Sequence, residues 1–195
     1  MKKKIALINT KAANLHSVFK AFKYVGADIE ITADISRIEN SDSIVFPGVG
    51  SFGAVLQAVR ENNLEEVIKK QIMKDKPFFG ICVGMQALFE SSEESPNVLG
   101  LGIFKGKVVK FKKAKKIPHI GWNDVVVCSE KISREKFYFV HSYYVSPIIS
   151  DIVYSTTVYD GEEFPSVIKS GNLIATQFHP EKSGDVGLNF IREFL

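Results

Sequence analysis

Pro77-Phe78-Phe79-Gly80-Ile81-Cys82-Val83-Gly84-Met85-Gln86-Ala87-Leu88-Phe89 is the stretch on which the fold turns. The apolar run 77–81 has the length and character of a buried strand, and 85–89 reads as the helix that follows it. Between them stands Gly-x-Cys-x-Gly. That order, strand then glycine-flanked nucleophile then helix, is the nucleophile-elbow arrangement, in which the glycines allow a tight turn that lifts one side chain above the sheet edge. A thiol there is a stronger nucleophile than a hydroxyl, and a helix N-terminus favours its thiolate. The five residues alone fit a packed core cysteine between two incidental glycines equally well.

The same alternation extends to both sides. Strands are expected at 4–8, 28–31 and 43–46. Leu15, Val18, Phe19 and Phe22 fall on one face of a helix over 15–25. A second helical stretch covers 55–73, with Glu65 and Lys69 at the i, i+4 spacing of a solvated face. This rhythm predicts an α/β fold with a mainly parallel sheet and helices on both faces. Over 102–127 and 137–168, β-branched and aromatic residues alternate with turn residues, which predicts appended β-hairpins. A closing helix is expected over 186–195. With 195 residues and no linker, repeat or low-complexity tract, the chain is expected to be one domain, 1–195.

Composition narrows the class. The apolar share of 45% is that of a globular protein. Two cysteines, Cys82 and Cys128, are too few for a disulfide framework and point to a reducing, cytoplasmic setting. No apolar run approaches the ~20 residues of a membrane span, and the stretch behind Lys2-Lys3-Lys4 is too short for a secretory leader. A net charge of +3 implies no polyanionic partner. The lysines from 105 to 116 are interrupted by only Phe111 among stacking residues, so a solvated hairpin is expected there, not a nucleic-acid surface.

Two further motifs bear on chemistry. In Gln177-Phe178-His179-Pro180-Glu181-Lys182-Ser183, Pro180 disfavours helical backbone at His179. In extended chain, residues two apart project to the same side, so Glu181 can lie near His179 as the orienting acid a catalytic base needs. Standing alone, the segment is better read as a surface His-Pro turn with a solvated glutamate. In Phe46-Pro47-Gly48-Val49-Gly50-Ser51-Phe52-Gly53, glycines after a strand free the backbone to aim amides at an oxyanion. The Gly-Lys-Ser/Thr ending of a phosphate-binding loop is missing.

Taken in order, these motifs resemble those of class I (triad-type) glutamine amidotransferases, and within them the glutaminase subunits of imidazole glycerol phosphate synthases. The resemblance runs through nearly the whole chain. It includes Asn14-Leu15, Pro47 to Phe52, Gly80 to Gln86, Pro118-His119-Ile120-Gly121-Trp122-Asn123, Phe139-Val140-His141-Ser142-Tyr143 and Gln177 to Ser183. The elbow and His-Pro-Glu belong to the wider class, whereas Pro-His-x-Gly-Trp-Asn and Pro-Glu-Lys-Ser point to the narrower group. It implies a flavodoxin-like fold and hydrolysis of glutamine to glutamate and ammonia by Cys82, His179 and Glu181. The backbone amides of Val83 and, after a local rearrangement, Val49 would stabilise the oxyanion. Gly48, Gln86, His141, Ser142 and Tyr143 would contact glutamine. Asn14, Trp122 and Lys182 would lie towards a cyclase partner of (β/α)₈ fold in a heterodimer, which takes up the ammonia in histidine biosynthesis. No metal or organic cofactor is implied.

Two departures stand out. The family usually has Gly-x-Gly-Asn after the first strand, where this chain has Lys11-Ala12-Ala13-Asn14, and His16 replaces a common arginine. Both fall in the loop expected at the partner interface, which leaves open a paralogous subunit feeding another synthase, such as a sugar-amidating one. A stand-alone cysteine hydrolase would use the same elbow but does not explain the Pro-His-Ile-Gly-Trp-Asn block. A non-catalytic subunit fits poorly with intact Cys82, His179 and Glu181. His16 and His119 are expected as interface or loop residues, and Cys128 as an unreactive strand residue.

Overall fold

The computed structural model describes residues 3–9, 15–127 and 134–195. The first part alternates strand and helix: β1 (Lys4–Ile8), α1 (Leu15–Tyr24), β2 (Asp28–Thr32), α2 (Ile35–Asn40), β3 (Ser43–Gly48), α3 (Phe52–Glu61), α4 (Glu65–Met73), β4 (Phe78–Cys82) and α5 (Val83–Gln86). The second part is strand-rich: β5 (Ser91–Ser92), β6 (Gly106–Lys110), β7 (His119–Val127), β8 (Arg134–His141), β9 (Tyr143–Pro147), β10 (Val153–Tyr159), β11 (Glu162–Ser170) and β12 (Leu173–Thr176), closed by α6 (Gly184–Phe194).

Among the described residues a nine-stranded sheet runs in the order β2-β1-β3-β4-β12-β11-β10-β7-β8, and β5-β6-β9 form a separate three-stranded sheet. From β2 to β12 every pairing is parallel, and from β12 to β8 every pairing is antiparallel. Every residue of β3 and β4 is buried, as expected of parallel strands covered on both faces. The connection from β1 to β2 runs opposite in direction to those from β2 to β3 and β3 to β4. Right-handed crossovers therefore place α1 on one face and α2, α3 and α4 on the other. The packing agrees: α1 touches α6, and α2 touches α4.

The main core joins the parallel strands to these helices, with Phe22, Phe46, Phe52, Phe78 and Phe79 fully buried. A second core of Phe111, Phe137, Phe139, Phe164 and Phe178 lies against the antiparallel half, where Phe137 and Phe178 stack at 4.0 Å between centroids.

The structure corrects several expectations. The helical stretch 55–73 is two helices, because Asn63 takes a left-handed φ of 55° and Leu64 N–H reaches back to the Val59 carbonyl, a left-handed C-terminal stop with Asn in the usual glycine place. The expected Lys69–Glu65 contact forms at 2.6 Å. The helix after the elbow begins at Val83, earlier than expected, and is one turn long; Leu88 and Phe89 donate to Met85 and Gln86 in tighter turns. Helix α2, between β2 and β3, has no counterpart in the sequence reading. Segment 102–127 is not a hairpin: β6 joins the small sheet, whereas β7 pairs with β8 and β10. The lysine run between them is a loop pinned by acid side chains, since Glu162 accepts the Lys112 and Lys113 N–H groups and Asp160 that of Lys115. Cys128 and His16's neighbours Lys11 to Asn14 lie outside the described residues.

Candidate active site

The carboxyl ends of β3, β4 and β12 form one edge of the sheet, the edge at which open α/β sheets bind ligands. Gly48 of β3 lies in register with Cys82 of β4. The backbones approach so closely there that a Cβ on Gly48 would overlap Gly84 and Val83, and one on Gly84 would overlap the Phe46 carbonyl. This contact brings the Gly48-Val49 and Val83-Gly84 peptides side by side. Cys82 itself has φ 53° and ψ −110°, a strained conformation for a residue with a side chain, costing on the order of 1–3 kcal/mol. Neighbouring packing holds it: Cys82 is 4% exposed.

His179 arrives from the chain just past β12. Its N–H donates to the Tyr138 carbonyl at 2.9 Å, and its backbone is extended, φ −102° and ψ 96°, as Pro180 requires. Its Nδ1 meets Glu181 Oε1 at 2.7 Å. Glu181 gets there by a 3-10 turn over Pro180–Lys182, not by the extended projection expected from the sequence. Burial alone would lower the pKa of His179, but the charge and hydrogen bond of Cys82 and those of Glu181 outweigh it and raise the value to about 10. The arrangement therefore favours a protonated imidazole facing the Cys82 sulfur, with the Glu181 carboxylate holding the ring by Nδ1.

Cys82 and His179 open onto a cavity of about 300 Å³, small even among small-molecule sites. Gly48, Val49 and Val83 line it near the thiol, and Gln86, His141, Ser142, Tyr143 and Lys182 line it further round. Glu181 stands behind His179. Trp122 lies away from the cavity, 54% exposed on β7, its ring 6.2 Å from that of Tyr138. Asn14 is outside the described residues. Among the described residues no cluster of three His, Cys, Asp or Glu side chains is placed to hold a metal ion.

Three contributors escaped the sequence reading. Glu94 lines the cavity and accepts the Phe52 N–H at 2.6 Å; its loop carries no local signal of this. Gln177 donates from Nε2 to Cys82 Sγ at 3.6 Å and accepts from Gln86 at 3.1 Å. Its place two residues before His179 was a usable signal, since side chains two apart in extended chain project to the same side. His119, expected in a loop or interface, is a strand residue 2% exposed, and burial lowers its pKa to about 4. Burial lowers that of His141 to about 3.

Comparison with known proteins now adds to the geometry. The family model for glutamine amidotransferase class-I matches residues 6–195. A Methanococcus maripaludis protein, imidazole glycerol phosphate synthase subunit HisH 1, is 45% identical, with 98% of each chain covered. The HisH subunit of Pyrococcus furiosus is 47% identical over 98% of this chain and 97% of its own. Among solved structures, a glutamine amidotransferase superposes with a TM-score of 0.77 at 19% identity, covering 97% of both chains. PurLQS from Thermotoga maritima superposes with the same score at 21% identity, covering 100% of this chain and 97% of that one; both likenesses concern the fold. With the family model covering all but the first five residues, and relatives at this identity over nearly full length, the chain belongs to the class-I glutamine amidotransferases.

Proposed function

We propose that this chain is the glutaminase subunit of an imidazole glycerol phosphate synthase, releasing ammonia from glutamine for a cyclase partner of (β/α)₈ fold in the cytoplasm. The observation that carries the chemistry is the meeting of Cys82 and His179 at one cavity, with Glu181 behind His179, and the HisH relatives carry the pathway. In the reaction, the Cys82 thiolate attacks the side-chain carbonyl carbon of glutamine. The carbonyl electrons move to oxygen, and the Val83 amide, joined by that of Val49, receives the oxyanion. His179 gives its proton to the leaving nitrogen, and ammonia departs as the C–N bond breaks. Water then attacks the thioester, His179 takes its proton, and glutamate leaves as the C–S bond breaks. Glu181 keeps the imidazole in the tautomer both steps need. Glu94 lines the cavity wall and matches the ammonium of an amino-acid head. Trp122 and Lys182, with Asn14, face the partner in this reading.

The test is Cys82→Ala in the complex with the cyclase. Glutamine-dependent product should fall by at least about 10⁴-fold, the scale of removing a member of a nucleophile–base unit. Synthesis from added ammonium salts should persist, because external ammonia bypasses the thiol. Loss of both activities would refute the role given to Cys82.

A further inference from the structure

His119 lies beside His141, which lines the cavity, and their hydrogen bonds have a forced direction. Nδ1 of His141 faces the Tyr143 carbonyl at 2.9 Å. A carbonyl only accepts, so the proton of His141 sits on Nδ1 and its Nε2 carries a lone pair. That Nε2 meets Nδ1 of His119 at 3.1 Å, which makes His119 the donor from Nδ1. Nε2 of His119 must then accept, and the group facing it is the Asn123 amide nitrogen at 3.3 Å. Asn123 has no freedom to turn: its other amide hydrogen goes to the Val158 carbonyl at 2.9 Å, and its oxygen accepts the Asp124 N–H at 2.8 Å. The His119 ring is clamped between Tyr159 and Phe139, with centroids 4.0 and 4.8 Å away.

The chain of bonds continues beyond Tyr143. The same carbonyl accepts from Gln86 Nε2 at 2.9 Å. The second hydrogen of that nitrogen goes to Gln177 Oε1, and Gln177 in turn donates to the Cys82 sulfur. Both donors of Gln86 are thus committed, and its oxygen is the group it has left to offer a ligand in the cavity.

We propose that His119 and Asn123 are positioning residues for glutamine recognition: with His141 they form a one-way hydrogen-bond relay that fixes the Tyr143 carbonyl, and through it Gln86 and Gln177, to strand β7. Neither touches the cavity. They act through Tyr143, the one acceptor on which both branches meet. The strand that anchors the relay also carries Trp122 and Ile120, 54% and 57% exposed, so whatever seats on that face of β7 bears on the orientation of the glutamine site. The inference rests on the glutamine reading above.

Two measurements on the full chain test it. The first is labelling of Cys82 by 6-diazo-5-oxo-norleucine, which carries glutamine's amino-acid head, beside labelling by iodoacetamide, which does not. His119→Phe keeps the stacking and removes the donor. Asn123→Asp replaces a donor by an acceptor and reverses the relay. Each should raise the half-saturating diazoketone concentration about tenfold, the effect of one lost buried hydrogen bond, while iodoacetamide labelling changes less than about twofold. His119→Asn keeps a donor where Nδ1 stood and should stay within about threefold of the parent chain. Unchanged diazoketone labelling in the first two variants, or an equal loss with both reagents, would overturn the relay. A parent chain that reacts with iodoacetamide and never with the diazoketone would instead overturn the glutamine reading. The second measurement needs no variant: ¹⁵N spectra should show both His119 and His141 protonated on Nδ1 at neutral pH, and an Nε2–H form of either would overturn the proposal.

Discussion

A methyl group at position 84 would strike the carbonyl oxygen of Phe46, and neither partner can yield, because both are backbone of adjoining segments at the sheet edge. Gly84→Ala must therefore separate the carboxyl ends of β3 and β4. We expect a stability loss on the order of 1–3 kcal/mol, the usual cost of forced overpacking. Glutaminase activity should fall about 10²-fold, since displacing a reacting group by about 1 Å has that effect. Urea unfolding and a glutaminase assay on the assembled complex measure both. Full activity in the variant would mean that the close approach of these strands is not what places Cys82. The requirement was visible in the sequence as Gly-x-Cys-x-Gly, but its physical reason was not: the neighbour that forbids a side chain at 84 lies 38 positions away on another strand.

At the scale of elements, the turn between β10 and β11 is Asp160-Gly161, with φ values of 50° and 80°. Two consecutive left-handed residues make the hairpin turn whose twist matches that of its strands. Gly161 has open space around it, so Gly161→Ala meets conformational strain alone. It should cost about 1 kcal/mol in urea unfolding, with the glutamine concentration for half-maximal rate unchanged; a rise in that concentration would show that the turn, through Glu162 and the loop it pins, reaches the site. This Asp-Gly pair was a legible hairpin signal. Strands β1, β3 and β4 were legible too, because burial on both faces demands continuous apolar runs. The partners of β6 and β7 were not. Alternating β-branched residues suit any neighbour, and the loop between them is held by Glu162 and Asp160, far along the chain. Helix α2 escaped because six residues with Ile38 alone buried leave no periodic stripe. For the site, the Cys82 and His179–Glu181 motifs were readable locally. Glu94 and the His119 relay were not, since each acquires meaning from residues brought together across the chain.

For the whole molecule, three buried histidines make stability depend on pH in opposite directions. His119 and His141 have pKa values lowered by burial to about 4 and about 3, below the ordinary 6.5. Unfolding frees them to bind protons, so their contribution is complete above pH 6.5 and is lost as pH falls through that value towards the folded pKa values. His179, raised to about 10, does the reverse: its contribution is complete below pH 6.5 and is lost as pH climbs through about 10. Near pH 5, before most carboxylates titrate, unfolding should take up close to two protons, one for each lowered histidine, and fewer towards pH 6.5, where the unfolded imidazoles are only half protonated. The measurement is the unfolding free energy in urea at closely spaced pH values. His119→Asn should remove about half of the slope near pH 5; an unaltered slope would show that His119 is not held neutral by the fold.

The strand order carries one more consequence, for how the chain comes into being. Among the described residues β12 comes after all other strands in the chain, yet it occupies the centre of the nine-stranded sheet, between β4 and β11. A nascent chain that has already produced β1 to β4 therefore waits with one flank of β4 unpaired until residues 173–176 emerge. An open, apolar strand edge of that kind is a natural target for chaperones and a hazard for aggregation. It also means that a chain ending before His179 holds Cys82 without the imidazole that faces it in the folded protein.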